Sequence, residues 1–294
     1  MMSDDRRYPV KPFDPALIRD FLHGRKISTV ELMASGRSNT NYKLVLTDGN
    51  TYALRIYSHG DARRETYVMD LVRDLIPVPV EVHRGGSWSV FSFLEGALLQ
   101  DVPEHSGAAV QALTRISSVV LASPGIIEPD ARISQFAFGG AKGYILESLE
   151  NPDVSVWLEP ELVASVRPIV KREEGRLAEL DAECRLVHGD FNPTNILIKD
   201  DAVSGVLDWE FCHSGSPYMD IGNLLRHTGA EYHPLIESGL RAGGMALPGD
   251  WRERAELVDL TSQIEFLNST RSTVFKQQCV ARIRGFIAKN DGTA

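Results

Sequence analysis

The sequence is poor in cysteine and contains no long hydrophobic run. Its three cysteines are far apart and form no CxxC pair; they are Cys184, Cys212 and Cys279. This usage argues against a disulfide scaffold and against a zinc site, and it is typical of the reducing cytoplasm. The polar start MMSDDRRYPV lacks the apolar core of a signal peptide, and no later run is long enough to span a bilayer. We therefore expect a cytoplasmic protein with no membrane partner.

A surplus of positive charge is also absent. The 294 residues include 31 Lys or Arg and 40 Asp or Glu, which gives a formal net charge of −9. This balance disfavours nucleic acid as a partner. The acidic surplus lies in the second part of the chain: residues 1–96 carry 13 basic and 12 acidic residues, whereas residues 97–294 carry 18 and 28. The length and the 43% of hydrophobic residues allow two lobes with a substantial core.

The most informative stretch covers residues 186–211, LVHGDFNPTNILIKDDAVSGVLDWEF. It contains two short apolar runs separated by Asp200 and Asp201, a pattern that predicts a β-hairpin. Such a hairpin would bring Asp208 back beside the polar loop from which its first strand leaves. The carboxylates of Asp190 and Asp208 and the amide of Asn195 would then meet at one place.

These three side chains suit phosphoryl transfer from ATP. That reaction needs Mg²⁺ held against the phosphates and a carboxylate that accepts the proton of the acceptor hydroxyl. Asn195 and Asp208 offer the hard oxygen ligands that Mg²⁺ prefers, and Asp190 would face the acceptor. The alternative interpretation is a polar loop between two buried strands, whose Asp and Asn side chains only cap turns.

The order His-x-Asp-x4-Asn, followed by an Asp after a strand, resembles the kinase catalytic loop and metal-binding Asp. HGDFNPTN and VLDWEF resemble the phosphotransferase family that includes the aminoglycoside phosphotransferases and choline kinases, which are relatives of the protein kinases. The resemblance implies an α+β, two-lobed, protein-kinase-like fold: an N-lobe with an antiparallel sheet and one main helix, and a mostly helical C-lobe. It implies Asp190 as the base and Asn195 and Asp208 as Mg²⁺ ligands. It also implies that Asp220 opens a helix behind the loop. For His188 we expect a supporting role, in which it holds the loop by hydrogen bonding and does not transfer protons.

Alternating apolar residues upstream predict an antiparallel sheet, with strands at 27–33, 42–46 and 51–57. The loop after Met33 would lie over the ATP phosphates and offer backbone N–H groups and the small side chains of Ser38 and Asn39. It contains a single glycine, Gly36, so a plain hairpin loop is an equal alternative.

Arg55 occupies the strand position where related kinases place a phosphate-binding Lys. A guanidinium can bind phosphate oxygens in a bidentate way, so the chemistry is preserved. Its expected partner is Glu65, in the first turns of a helix predicted at 61–75. The alternative is an ordinary surface salt bridge.

The segment that ends at Gly96 resembles the hinge between kinase lobes. Backbone groups of Phe93 and Glu95 would bind the adenine edge there. We place the N-terminal nucleotide-binding lobe, including the hinge, at residues 1–96, and the C-terminal lobe, with the catalytic loop and the acceptor site, at 97–294. Within the second lobe, helices are predicted at 108–121 and 160–180 and in several segments between 234 and 288, with an irregular stretch at 123–143.

The leading hypothesis is an ATP- and Mg²⁺-dependent kinase that phosphorylates a hydroxyl of a small molecule. Two alternatives are a kinase-like module that binds nucleotide without catalysis, and a metal-dependent hydrolase that uses His188, Asp190, Asp208 and His213. The sequence leaves open whether the acceptor is an aminoglycoside, an amino alcohol or a sugar. It also leaves the oligomeric state open.

The acidic surplus of the second lobe favours a cationic or neutral acceptor, because charge of one sign lining a cleft attracts the opposite charge. Four carboxylates would border the acceptor if the C-terminal helices fold over the site: Glu210, Glu231, Asp259 and Glu265.

Overall fold

Alternation of inward and outward side chains builds the N-terminal sheet of the computed structural model, which describes residues 6–33, 38–59 and 62–290. Its strands are β1 Ile27–Leu32, β2 Thr40–Leu46, β3 Thr51–Ile56, β4 Glu81–Arg84 and β5 Trp88–Ser92. They pair in the order β1-β2-β3-β5-β4, and every neighbouring pair is antiparallel. The predicted antiparallel sheet is confirmed.

The two faces of this sheet pack against different parts of the molecule. Leu44 and Leu54 are fully buried and pack with Phe21, which lies in the short helix α1 (Arg19–Leu22). Because successive side chains of a strand point to opposite faces, Arg55 points away from this apolar cluster. In the register of the sheet it lies directly opposite Asn41 of β2.

The main N-terminal helix is α2, Arg63–Val72. It is shorter than the predicted 61–75 and ends at Val72, while Asp61 lies outside the described residues. Val68, Met69 and Val72 are buried on one side. The apolar spacing of the sequence predicts burial of Val68 and Val72 together with Leu71 and Leu75, but Leu71 and Leu75 are exposed. Glu65 is also buried, in the first turn of the helix.

The C-terminal part is mainly helical. Its helices are α3 Ser106–Ile116, α4 Ala141–Ser148, α5 Pro152–Ser155, α6 Pro160–Arg172, α7 Glu174–Asp181, α8 Tyr218–His227, α9 His233–Ala242, α10 Trp251–Leu267 and α11 Thr273–Asn290. Its strands are β6 Ala97–Leu98, β7 Gly125–Ile127, β8 Ile133–Ser134, β9 Arg185–Val187, β10 Ile196–Lys199, β11 Ala202–Val206 and β12 His213–Gly215. They form two small sheets, ordered β11-β10-β6 and β8-β7-β12-β9. None of the described helices is both long and apolar enough to cross a membrane.

Besides α2, three segments differ from the prediction. The helix expected at 108–121 ends at Ile116, and Val120 beyond it is 65% exposed. The helix expected at 160–180 is two helices, because the backbone leaves helical geometry at Glu173, with φ −86° and ψ 10°. The stretch expected to be irregular at 123–143 contains β7 and β8.

The predicted hairpin is formed by β10 and β11, which pair in antiparallel fashion from Ile196–Val206 to Lys199–Ala202. Asp200 and Asp201 make the turn with φ of 51° and 60°, the two positive angles that a two-residue hairpin turn requires. At the open end, Leu207 N–H donates to the Asn195 carbonyl at 2.8 Å. The hairpin therefore brings Asp208 back beside the loop, as predicted.

The ends of the hairpin motif are fixed in the core. Phe191 and Trp209 are among the largest fully buried side chains, and both belong to the principal apolar cluster, which also contains Val68 and Val72 of α2. β6 begins directly after Gly96 and pairs with β10. The lobe boundary at Gly96 stays a prediction.

Candidate active site

The loop before β10 rests on two buried polar side chains. Asp220, in the first turn of α8, is fully buried and accepts the backbone N–H groups of His188 at 2.7 Å and Gly189 at 2.9 Å. Burial raises the pKa of Asp220 to about 7, and the two N–H groups oppose this rise. The contacts fix the backbone immediately before Asp190.

His188 is also fully buried, and both ring nitrogens are engaged. Its Nε2–H donates to the Leu207 carbonyl at 2.9 Å, and its Nδ1 accepts the N–H of Asp190 at 3.2 Å. This pairing defines the neutral tautomer with the proton on Nε2, and burial lowers the pKa of His188. The ring thus joins the end of β11 to the loop.

The carboxylate of Asp190 is held by amide side chains of its own loop. Asn192 Nδ2 donates to Oδ1 at 2.8 Å, and Asn195 Nδ2 donates to Oδ2 at 2.9 Å. Because the nitrogen of Asn195 faces Asp190, its carbonyl oxygen is the atom that can hold a metal. The structure therefore brings the predicted base and one predicted ligand into direct contact.

Asp208 follows the hairpin in an unusual backbone conformation. Its φ of 65° and ψ of 66° lie in the left-handed region, which Asp tolerates better than most residues. Strained positions of this kind cluster at functional sites. The turn Trp209–Phe211 then begins, and Arg64 of α2 donates to the carbonyl of Glu210 within it.

Arg55 joins the sheet, the helix α2 and the hairpin motif through three hydrogen bonds. Its Nη1 contacts Glu65 Oε2 at 2.5 Å, its Nη2 contacts Asp208 Oδ1 at 2.6 Å, and its Nε contacts Asn41 Oδ1 at 3.2 Å. Burial lowers the pKa of Arg55, but the two carboxylates outweigh burial and hold the pKa above its usual range. Burial raises the pKa of Glu65 against the opposing charge of Arg55. The predicted Arg55–Glu65 partnership is present and buried.

These groups line one cleft of about 550 Å³, a volume typical of small-molecule sites. Arg55, Glu65, Asp190, Asn195 and Asp208 all face it. Its apolar lining is formed by Ala53, Met69, Pro79, Phe91, Leu98 and Leu207, and its C-terminal wall by Phe211, His227, Phe266, Arg271 and Phe275. The cleft therefore has an apolar part, a charged centre and an aromatic wall.

Comparison with known proteins identifies the family. Residues 29–257 match the model of the phosphotransferase enzyme family. The chain belongs to the phosphotransferase enzyme family. The match includes nearly all of the sheet, the charged centre of the cleft and most of the C-terminal helices of this phosphotransferase, while Phe266, Arg271 and Phe275 of the cleft wall lie beyond it. No curated protein sequence matches the chain.

Solved structures share the two-lobed, kinase-like α+β fold of this phosphotransferase. Aminoglycoside phosphotransferase APH(4)-Ia is 20% identical, with a TM-score of 0.69, and the alignment covers 95% of this chain and 98% of that one. Macrolide 2′-phosphotransferase MphH from Brachybacterium faecium is 15% identical, with a TM-score of 0.69 and coverage of 92% and 98%. A putative fructosamine-3-kinase from Thermobifida fusca is 17% identical, with a TM-score of 0.71 and coverage of 94% and 100%.

The donor set of this phosphotransferase fits a magnesium ion. Within residues 6–33, 38–59 and 62–290, no group of three or more His, Cys, Asp or Glu side chains is placed to hold a metal. Mg²⁺ does not need one, because it is commonly bound through one or two carboxylates, substrate phosphates and water. Asp208 keeps one carboxylate oxygen beyond the one that contacts Arg55, and Asn195 keeps its carbonyl oxygen.

The predicted phosphate loop is described only in part, because residues 34–37 lie outside the described residues. Ser38 lines the cleft. Asn39 is 5% exposed; its Oδ1 accepts the backbone N–H of Ser58 at 3.2 Å, and its carbonyl accepts Arg6 Nη2 at 3.0 Å. The Asn39 side chain thus shapes the loop from within, and its contact with phosphate stays a prediction.

Phe93 and Glu95 lie outside the lining of the cleft in the described part of the chain. The ring of Phe93 has the Lys43 ammonium 4.7 Å from its centroid. The exposed side chain of Glu95 pairs with Lys199 at 2.7 Å, and its carbonyl accepts the Ser204 hydroxyl at 2.7 Å. The predicted adenine contacts use backbone groups of these two residues, and they stay a prediction.

The four carboxylates expected around the acceptor are dispersed. Glu210 lines the cleft, where burial and the nearby charge of Asp208 raise its pKa to about 7. Asp259 pairs with Arg226, Glu265 lines a neighbouring apolar cavity, and Glu231 is exposed in the turn Ala230–Tyr232. The acidic surplus is thus spread over the C-terminal lobe.

Three asparagines of the site were not predicted from the sequence. Asn41 binds Arg55, Asn192 binds Asp190, and Asn223 on α8 approaches Asp190 at 3.5 Å. The signal for Asn41 was the strand pairing, which places it opposite Arg55. Asn192 lies two residues from Asp190, a spacing at which Asn often bonds locally. Asn223 carries no such signal except its spacing of three residues from Asp220.

Proposed function

We propose that this protein is an ATP- and Mg²⁺-dependent kinase that transfers the γ-phosphate of ATP to a hydroxyl of a small molecule. The observation that carries the proposal is the convergence of Asp190, Asn195 and Asp208 in one cleft with Arg55. Phosphoryl transfer depends on positioning and on charge stabilisation more than on covalent chemistry. The cleft combines groups that can position the reactants with groups that can stabilise charge.

Each residue has a role in the proposed reaction. The apolar part of the cleft receives the base of ATP, and Arg55, held by Glu65, directs unused guanidinium N–H groups toward the phosphates. Asn195 and Asp208 would hold Mg²⁺, which supplies neutralisation of the phosphate charge. Asp190 accepts the proton of the acceptor hydroxyl as the hydroxyl oxygen bonds to phosphorus and the bond to ADP breaks.

The segment between the metal-binding Asp208 and Asp220 favours a small acceptor. It spans Trp209 to Met219 and contains one short turn, the strand β12 and the first two residues of α8. It is too short to form a platform for a peptide substrate. We propose neutral or amine-bearing compounds as acceptors, with aminoglycosides, amino alcohols and sugars as the classes to test first. One structural relative was crystallised with ADP and hygromycin B, so hygromycin B belongs in the panel.

The alternative functions are less well supported. A metal-dependent hydrolase would need His188 as a ligand, yet both of its nitrogens are engaged and its side chain is fully buried. A module without catalysis would not need the Asp190 carboxylate fixed in the cleft by two amides. The three cysteines of the chain are free thiols, which supports the cytoplasm as the proposed compartment.

The test is incubation with ATP, Mg²⁺ and a panel of hydroxyl acceptors, with phosphorylated product detected directly by mass spectrometry. Wild-type protein is expected to phosphorylate at least one acceptor. Asp190→Ala is expected to bind ATP normally and to lose about 10²–10⁴-fold in turnover, the usual contribution of a positioned base. ATP hydrolysis without a phosphorylated acceptor, or full turnover by Asp190→Ala, would contradict the proposal.

A further inference from the structure

The Asp190 carboxylate is held from two parts of the fold. Asn192 and Asn195 belong to its own loop and move with it. In the portion of the chain that the structure describes, one side-chain donor reaches Asp190 from elsewhere: Asn223 on α8, whose Nδ2 lies 3.5 Å from Asp190 Oδ1. This distance is at the long end of the hydrogen-bond range. The contact ties the carboxylate to the C-terminal helices.

Asn223 is in turn oriented by Arg226, one helical turn further along α8. Arg226 Nη2 donates to Asn223 Oδ1 at 3.0 Å. The amide oxygen therefore faces the guanidinium, and the amide nitrogen faces Asp190. If the amide were flipped, its NH2 group would face the Arg226 guanidinium, so that two donors would meet. Its oxygen would face the Asp190 carboxylate, so that two acceptors would meet. Because Asn223 is only 3% exposed, its orientation is set by these protein partners.

Arg226 is a buried cation that also contacts the wall of the cleft. Its side chain is 2% exposed, and Nη1 forms an ion pair with Asp259, which accepts Gln263 Nε2 at 2.7 Å. Its Nε donates to His227 Nε2 at 3.2 Å, and its guanidinium carbon lies 5.3 Å from the centroid of the Phe266 ring. His227 and Phe266 both line the cleft.

We propose that Asn223 and Arg226 are positioning residues for phosphoryl transfer, in that Arg226 orients Asn223 and Asn223 orients the Asp190 carboxylate toward the acceptor hydroxyl. This inference rests on the proposed kinase function. A buried ion pair contributes little net stability, because the cost of desolvating the two charges offsets their attraction. Stability alone therefore does not explain why Arg226 is buried here. Its planar fork makes directional bonds to Asn223, Asp259 and His227 at once, which a lysine cannot do.

Steady-state kinetics separate the two residues. Asn223→Ala is expected to lower kcat about 10-fold, the size of one lost hydrogen bond in the transition state, with the KM values of ATP and acceptor unchanged. Arg226→Lys keeps a cation beside Asp259 but loses the fork. It is expected to lower kcat by the same factor and also to raise the acceptor KM, because His227 and Phe266 lose their contact with the guanidinium of Arg226.

The double variant decides whether the two residues act in series. If Arg226 acts on the base through Asn223, then Asn223→Ala/Arg226→Lys has the kcat of Asn223→Ala alone. Losses that multiply would overturn the proposal, and so would an Asn223→Ala variant with wild-type kcat. Arg254→Lys is the matched control, because Arg254 lies on α10 and pairs with Asp250 and Glu179 outside the cleft. It is expected to keep wild-type kcat.

The Asn223→Ala variant and one further measurement keep the outcomes distinct. Asn223→Ala leaves the Arg226–Asp259 pair intact, so it can decide the proposal even if Arg226→Lys fails to fold. If the wild-type protein phosphorylates no acceptor, the kinase function fails, and crystal structures of wild type and Asn223→Ala test the positioning. A rotated Asp190 carboxylate in the variant supports it, and an unchanged carboxylate overturns it.

Discussion

Gly189 is the position at which a single added carbon should damage the site most clearly. Its φ of +82° lies in the left-handed region, and a Cβ there would be 2.3 Å from the Phe211 carbonyl oxygen and 3.0 Å from the Phe211 Cβ. Neither neighbour is the flexible end of a side chain, so the loop and the Trp209–Phe211 turn must move apart. Gly189→Ala therefore separates the loop that carries Asp190 from the turn that follows Asp208.

The cost of Gly189→Ala can be assembled from two contributions. The left-handed conformation costs about 1–2 kcal/mol for a residue with a Cβ. Displacement of the loop weakens the N–H bonds of His188 and Gly189 to Asp220, 2.7 and 2.9 Å long; a bond to a charged group contributes about 1.5–3 kcal/mol. With one such bond lost, the free energy of unfolding falls by about 3–5 kcal/mol, which corresponds to a Tm lower by roughly 10 °C.

The assay is thermal unfolding together with kcat. A shift of about 1 Å in a catalytic group can cost about 10²-fold in rate, so activity should fall even where the variant remains folded. Gly285→Ala is the matched control: Gly285 lies in α11, and nothing lies within 4 Å of its added Cβ. Ala is about 1 kcal/mol better than Gly in a helix, so the control should melt no lower than wild type. Wild-type stability and activity in Gly189→Ala would refute the reasoning.

Three other outcomes are expected. Arg55→Met leaves Glu65 buried without its cation, so the free energy of unfolding should fall by about 3–5 kcal/mol. Because burial raises the pKa of Glu65, the folded variant binds this proton more tightly than the unfolded chain does, and stability in denaturant titrations should recover as pH falls; a loss independent of pH would contradict this. Asp208→Asn should weaken Mg²⁺ activation, with partial rescue by raised Mg²⁺ or by Mn²⁺, and unchanged activity at limiting Mg²⁺ would remove Asp208 as a ligand. A thiol reagent should label one cysteine in the native protein and three after denaturation, because two thiols are buried; the partly exposed one is Cys184, and the buried ones are Cys212 and Cys279. Fast native labelling of all three would contradict the structure.

The loop that carries Asp190 could be predicted from sequence because its determinants are local. Asp190 and Asn195 are separated by five positions in one loop, and the turn residues of the β10–β11 hairpin set the pairing next to the turn. The register then shifts by one residue between Leu197 and Ile198, so the sequence predicts the return of Asp208 to the loop but not its exact pairing. Arg55 and Glu65 are ten residues apart and needed one further assumption, that the helix packs beneath the sheet. In the structure the helix does pack in this way, and Arg55 Nη1 lies 2.5 Å from Glu65 Oε2.

The contacts of the second lobe were beyond sequence reasoning because they join distant helices. Asn223 and Asp190 are 33 positions apart, as are Arg226 and Asp259, and the facing of α8 against α10 decides both pairs. The same packing determines which groups surround the acidic residues. Asp259 and Glu265 lie on one helix, yet one pairs with Arg226 and the other lines an apolar cavity. The amino-acid composition fixes how many carboxylates the lobe carries, but only the rotation of each helix decides which of them meet the acceptor.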